Sequence, residues 1–181
     1  MSNVNKESLK TIYKGMTLSD PPAPWKRVSC FISGVTAVGF GEETELMLVL
    51  THSGIGVIDC ISGDVIEHVV NADDYVEDPY PVTAKGIGPL VGQHIRLAGL
   101  WGGGLRTMTP DGWKVHRAAP NWPDESAILC PPEAPELYDD PIQAVMLVKD
   151  VELGIRAVGF SDSGQTLVVA STDLFIWTRI P

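Results

Sequence analysis

The sequence predicts an all-β domain of about three to four antiparallel meander units, with a short N-terminal helix or arm. Three observations lead there. Eighteen Gly and fourteen Pro in 181 residues supply turns at a density that suits short strands better than a helical bundle. Apolar runs such as "ELMLVLTHS" and "TLVVASTD" are bounded by Gly, Asp and Ser. A block near the start is also echoed near the end, with "VTAVGF" at 35–40 matched by "IRAVGF" at 155–160. Repetition at a long spacing marks units that stack or arrange radially.

Residues 1–27 read as a peripheral arm and residues 28–181 as one domain. "NKESLKTIYKG" suits a short helix that stops at Gly15. "SDPPAPW" cannot continue it, because its three prolines fix φ and remove donors. Val35 to Val70 then reads as four strands, the last one, "CISGDVIEHVV", entered through a Ser-Gly-Asp turn. In the middle, "YPVTAKGIGPL" holds a first strand. "HIRLAGLWGGGLRTMTPDGWKVHRA" follows as the last three strands of the same unit. "ILCPPEAPELYDDP" reads as a proline-rich loop and "QAVMLVKDV" as an apolar strand. The final unit, "IRAVGFSDSGQTLVVASTDLFIW", is three strands ending in Trp177.

The order strand, turn, strand, polar turn, strand, in both the first and last blocks, resembles the blade of a WD-repeat β-propeller. Ile58-Asp59 and Trp177-Thr178 stand where that family places its Trp-Asp pair, and its Gly-His signature is missing. The resemblance implies a small propeller-like or multi-sheet β domain. Propellers close with about four to eight blades. Three ways of closing are open: a minimal four-bladed ring completed by the arm and the loop, a distorted sandwich or partial barrel, or edges covered by a partner or second copy.

A hydrophobic content of 44% and a charged content of 20% describe an ordinary globular chain. Cys30, Cys60 and Cys130 are an odd number with no close pair, which argues against a disulfide framework or a zinc site. No apolar leader and no membrane-length run is present, so the expected setting is the cytoplasm. The net charge of −10 is unevenly spread. From Val28 to Ala84 there are ten acids and no Lys or Arg, and from Ala118 to Val148 six acids and again none. Between them Lys85, Arg96, Arg106, Lys114 and Arg117 face Asp111 alone. Such a field repels nucleic acid and attracts basic partners.

No motif carries catalysis. Gly102, Gly103 and Gly104 lie between strand-like runs with no Gly-Lys-Ser/Thr and no following helix, so a tight turn is expected rather than a phosphate loop. "KGIGPLVG" departs from the dinucleotide fingerprint in its third glycine. His52, His68, His94 and His116 are scattered, without metal-ligand spacing. "GFSDSGQ" places Ser163 where a nucleophile elbow needs Gly, in a strand–turn–strand setting. Neither catalytic residues nor a cofactor or metal are expected.

Two acidic clusters remain. Asp73, Asp74, Tyr75, Glu77, Asp78 and Tyr80 form one, and Glu133, Glu136, Tyr138, Asp139 and Asp140 the other. Neither has the spacing of a calcium loop. Carboxylates interleaved with tyrosines suit a loop surface that binds a basic protein. The expected function is therefore a non-enzymatic protein-binding protein. By analogy of size and charge alone, it looks like a bacterial immunity-type protein that neutralises a cognate toxin domain. Two rival readings stand beside it. One is an enzyme or small-ligand receptor with a central-channel site that includes His52, His94, His116 or Arg106. The other is a structural subunit of a homo-oligomer.

Overall fold

A computed structural model of the chain describes residues 6–76, 81–134, 144–150 and 154–179. The chain begins with helix α1 (Lys6–Gly15) and strand β1 (Trp25–Val28). A meander follows: β2 (Val35–Phe40), β3 (Leu46–Thr51), β4 (Gly54–Asp59) and β5 (Val65–Val69). Next come β6 (Thr83–Lys85), a 3-10 turn (Gly88–Leu90), β7 (His94–Arg96) and β8 (Ala98–Gly99). Then come β9 (Lys114–Asn121), β10 (Asp124–Cys130) and β11 (Val145–Asp150). The last meander is β12 (Ala157–Phe160), β13 (Thr166–Ala170) and β14 (Leu174–Arg179). Among the described residues the fold is all-β apart from α1 and the 3-10 turn, as the turn density implied.

Among the described residues the strands form four antiparallel sheets, ordered β5-β4-β3-β2-β8, β1-β14-β13-β12, β11-β10-β9 and β6-β7. The echo in the sequence is structural. β4 and β14 run at a constant offset of 120 residues, Gly54 to Leu174 and Asp59 to Arg179. The register repeats as well: Gly39 opposes Leu48 as Gly159 opposes Val168. The fourth strand differs. β5 completes the first meander from within, whereas the last is completed by β1, with Trp25 opposite Arg179 and Val28 opposite Ile176. The segment read as peripheral thus supplies a strand whose Trp25 is buried.

The sheets stack face to face, and strand alternation decides which residue enters which layer. Val35, Val38, Met47, Val49 and Ile58 meet Val168, Ala170, Leu174 and Ile176 in one core between the two long sheets. On the other side of the C-terminal sheet, Leu167, Val169 and Trp177 pack with Trp113, Val115, Ala127 and Leu129. On the other side of the N-terminal sheet, Leu48, Leu50, Ile55 and Val57 pack with Leu90, Ile95 and Leu97. α1 closes the far end by placing Tyr13 on Ile128 and Cys130. A sheet covered on both faces needs apolar residues at every position, which is why "LMLVL" and "TLVVA" do not alternate.

Two expectations are corrected. Residues 94–118 are not three strands of one unit: β7 pairs with β6, β8 joins the edge of the first sheet at Ala37–Val38, and β9 opens the next sheet. The chain passes from sheet to sheet here because Gly99 lets it lie against the Thr36 carbonyl, closer than a side chain permits. The proline-rich loop also starts later than expected. Ile128–Cys130 belong to β10, the central strand of its sheet, whose two faces are both buried. Pro131 and Pro132, which cannot donate, then end it.

Polar ties hold the stack together. Glu45, in the β2–β3 turn, accepts hydrogen bonds from the Ser163 hydroxyl (2.5 Å) and the Thr166 hydroxyl across the layer. A guanidinium nitrogen of Arg156 donates to the Val35 carbonyl. Arg179 lies over the Trp25 ring at 4.8 Å, donates to the Gly164 carbonyl and pairs with Asp111.

Two tests follow. A Cβ on Gly39 would fall on the Arg96 carbonyl oxygen and 2.7 Å from Ile95 Cγ2. Gly39→Ala is expected to destabilise the fold by about 1–3 kcal/mol, the usual range for overpacking, read as a lower urea midpoint at unchanged slope. The Arg179 hydrogen bond, helped by the Thr109 hydroxyl, holds the Asp111 carboxyl below the usual carboxylate range. A lowered folded-state pKa adds stability that is present above the unfolded value near 4 and is lost as pH falls through the folded one. Between about pH 5 and pH 2, wild type should therefore lose more stability than Asp111→Asn in acid titrations followed by tryptophan fluorescence.

Candidate functional site

The two Val-Gly-Phe segments end at one place. At Gly39, β7 crosses so closely that no side chain fits beneath it. At Gly159, the segment Leu105–Arg106 crosses in the same way, and a Cβ would lie 2.7 Å from the Arg106 carbonyl oxygen. The Phe160 amide donates to that oxygen at 2.8 Å, so the crossing segment covers the inner edge of β12. Each glycine is followed by a phenylalanine, Phe40 or Phe160, and two residues later by an acid, Glu42 or Asp162. Each crossing segment carries an arginine, Arg96 or Arg106.

These residues line a cleft of about 490 Å³. Its walls include Phe40, Glu42, His94, Arg96, Arg106 and Asp162. That volume lies in the range of small-molecule sites. His94 and Arg96 sit on the exposed side of β7, opposite the buried Ile95. The Glu42 amide is held by the Gln93 side-chain oxygen at 2.9 Å, which ties the β2–β3 turn to the start of β7.

The halves differ in one respect. Arg106 Nε donates to Asp162 Oδ1 at 2.5 Å. The corresponding pair is not made: among the described residues Arg96 and Glu42 each lack an ion-pair partner. One half of the cleft is closed by its own charges and the other is open.

Of the histidines and arginine anticipated for a central site, His94 and Arg106 line the cleft. His52 and His116 do not. His52 neighbours Gly34, and His116 lies on β9 opposite Ile128. Among the described residues no three His, Cys, Asp or Glu side chains gather as a metal site. The Gly-rich stretch is a tight turn: the Gly99 amide donates to the Gly102 carbonyl at 3.0 Å and the return bond is 3.2 Å. Gly102 and Gly103 take φ of +107° and +77°, which a side chain would resist. The turn displays Leu100 and Trp101, both about half exposed. Ser163 lies in the β12–β13 turn, with its hydroxyl donating to the Glu45 carboxylate. Cys60 is buried, and desolvation pushes its thiol well above the ordinary range, with Glu45 and Asp59 adding to the rise. It stays protonated at neutral pH.

The first acidic cluster is partly described. The Asp73 amide donates to Asn71 Oδ1 at 3.1 Å, and the Tyr75 and Val76 amides return to the Ala72 carbonyl. Asp73 and Asp74 are exposed on this turn, while Tyr75 and Val76 anchor it by packing against the core beside Leu90 and Ile95. Glu133 is exposed just after β10. Glu77, Asp78, Tyr80, Glu136, Tyr138, Asp139 and Asp140 lie outside the described residues. Glu42, Arg96 and Asp162 were not anticipated as site residues. The signal that would have found the two acids was the same 120-residue offset, extended two positions past each phenylalanine.

Five of the thirteen Lys and Arg make internal ion pairs among the described residues. Arg27 pairs with Asp20 at 3.8 Å, Arg117 with Glu125 at 2.7 Å and Lys149 with Asp124 at 3.6 Å, besides the Arg106–Asp162 and Arg179–Asp111 pairs. Glu43, Asp64, Glu67, Asp73, Asp74 and Glu133 face solvent outside any such pair among the described residues. Among those residues, no helix is long and apolar enough to cross a membrane.

No family model and no curated protein matches the sequence. Among solved structures, the WD40 domain of Neurospora crassa Pan2 is similar over 80% of this chain and 62% of that one, at 14% identity and a TM-score of 0.22. The chain thus spans less than two thirds of that domain, and a likeness this weak says nothing about function.

Proposed function

We propose that the protein is a non-enzymatic binding protein that engages a basic protein partner through its acidic surface. One observation supports this above others: Arg27, Arg106, Arg117, Lys149 and Arg179 are tied into internal ion pairs, while Asp73, Asp74, Glu43 and Asp64 face solvent outside any such pair among the described residues. An uncompensated field of one sign steers an oppositely charged partner and gives a salt-sensitive on-rate. The turn is fixed by Asn71 and anchored by Tyr75, so presenting the carboxylates costs little ordering entropy on binding. The finer reading, neutralisation of a toxin domain in the manner of immunity proteins, rests on the same charge argument and on size.

The test is affinity capture of the tagged protein from its native cells, at low and high salt, beside the double variant Asp73→Lys, Asp74→Lys. Both residues are exposed, so the variant should fold with a stability change within about 1 kcal/mol. The expected result is one stoichiometric basic partner that high salt releases and the variant fails to hold. A partner held equally by the variant at every salt concentration would exclude this turn as the contact. Recovery of the protein alone, at the mass of a multimer, would favour self-association instead.

A further inference from the structure

We propose that the cleft between the two Val-Gly-Phe segments is a binding site for a small amino-carboxylate, such as a free α-amino acid. Arg96, with His94 beside it, receives the carboxylate, and Glu42 receives the ammonium group. The site shares no residue with the Asp73–Asp74 turn.

The internal repeat carries the inference. Its two copies bring Phe40 and Glu42, and their counterparts 120 residues on, Phe160 and Asp162, to one cleft, and the segment connecting the copies adds an arginine to each, Arg96 at Gly39 and Arg106 at Gly159. In one copy the arginine is satisfied by the chain's own carboxylate, Asp162, at 2.5 Å. That pair is an internal example of the contact the cleft geometry supports. In the other copy both charges lack an ion-pair partner among the described residues, so both a cationic and an anionic group are offered to whatever enters. A simple anion would meet Glu42 and the net charge of −10. A simple cation would meet Arg96. A molecule carrying both charges meets a partner for each and is not repelled by the overall field. Phe40, half-buried at the cleft wall, gives its carbon skeleton an apolar contact.

The test is a titration of the isotopically labelled full chain followed by amide NMR shifts. Free amino acids are added one at a time, with acetate, ethylamine and inorganic phosphate as probes of each charge alone. The expected result is a saturable shift at Glu42, His94 and Arg96 with at least one amino acid, and none with the single-charge probes at the same concentration. Arg96→Gln and Glu42→Gln should each weaken binding roughly tenfold or more, as for a lost charged hydrogen bond. Both side chains are exposed, so both variants should keep the wild-type spectrum elsewhere. Asp162→Asn provides a second, independent reading, because it frees Arg106: acetate should then shift the Arg106 and Phe160 amides, which it leaves unmoved in wild type. Absence of saturation with every amino acid would overturn the proposal. So would acetate or phosphate binding as tightly as the amino acid, or unchanged binding in Arg96→Gln and Glu42→Gln.

Discussion

The apolar layer between the two long sheets is the constraint on which the rest depends. Val38, Met47 and Val49 from one meander and Val168, Ala170 and Ile176 from the other exclude water from a shared face. Each such Val, Met or Ile side chain stabilises the fold by roughly 1.5–3 kcal/mol when fully buried. Because side chains alternate across a strand, filling this layer also commits their neighbours. Leu48 and Leu50 must point one way, and Leu167 and Val169 the other. Those outward rows then need covers of their own. The β6–β7 hairpin with its 3-10 turn provides one, and the β9–β11 sheet provides the other.

The covers are what place the charged residues. β7 must reach Ile95 into its layer while passing over β2, and only a glycine at 39 allows the backbones to come that close. The chain then crosses β12 at Gly159 for the same reason. Arg96 and Arg106 are carried to the cleft by these crossings. The cleft is therefore a by-product of how duplicated meanders are covered: its phenylalanines and acids follow from the duplication, its arginines from the segment that connects the copies. A single hydrogen bond in one copy, Arg106 to Asp162, is enough to make the halves chemically different.

The polar ties act at the margins of this apolar frame. Glu45 joins the two equivalent turns, and Arg179 joins the end of β14 to Trp25, Gly164 and Asp111. Arg106–Asp162 is well exposed and screened, so it sets local geometry more than global stability. Most of the excess negative charge stays outside these ties, on turns where hydration costs nothing and where it shapes which partners approach.

Much of the fold was legible in the residues. The meander from Val35 to Val70, the strands from Ala157 to Arg179 and the helix ending at Gly15 all follow from local patterns: β-branched runs, Ser-Gly-Asp and Asp-Ser-Gly turns, and a terminal glycine. Local pattern failed where a strand's partner lies far away in the chain. Ile128–Cys130 reads as the start of a loop because prolines follow, yet it fills the middle of a sheet. Residues 94–118 read as one unit because their turns are evenly spaced, yet they serve three sheets. The site divides in the same way. The excess of acid, and its concentration in turns such as Asp73–Asp74, is a property of composition and order, so the sequence by itself determined it. Which arginine finds a carboxylate and which is left open is a matter of distances between segments separated by more than fifty residues in the chain. Only the packing of one layer on the next decides those.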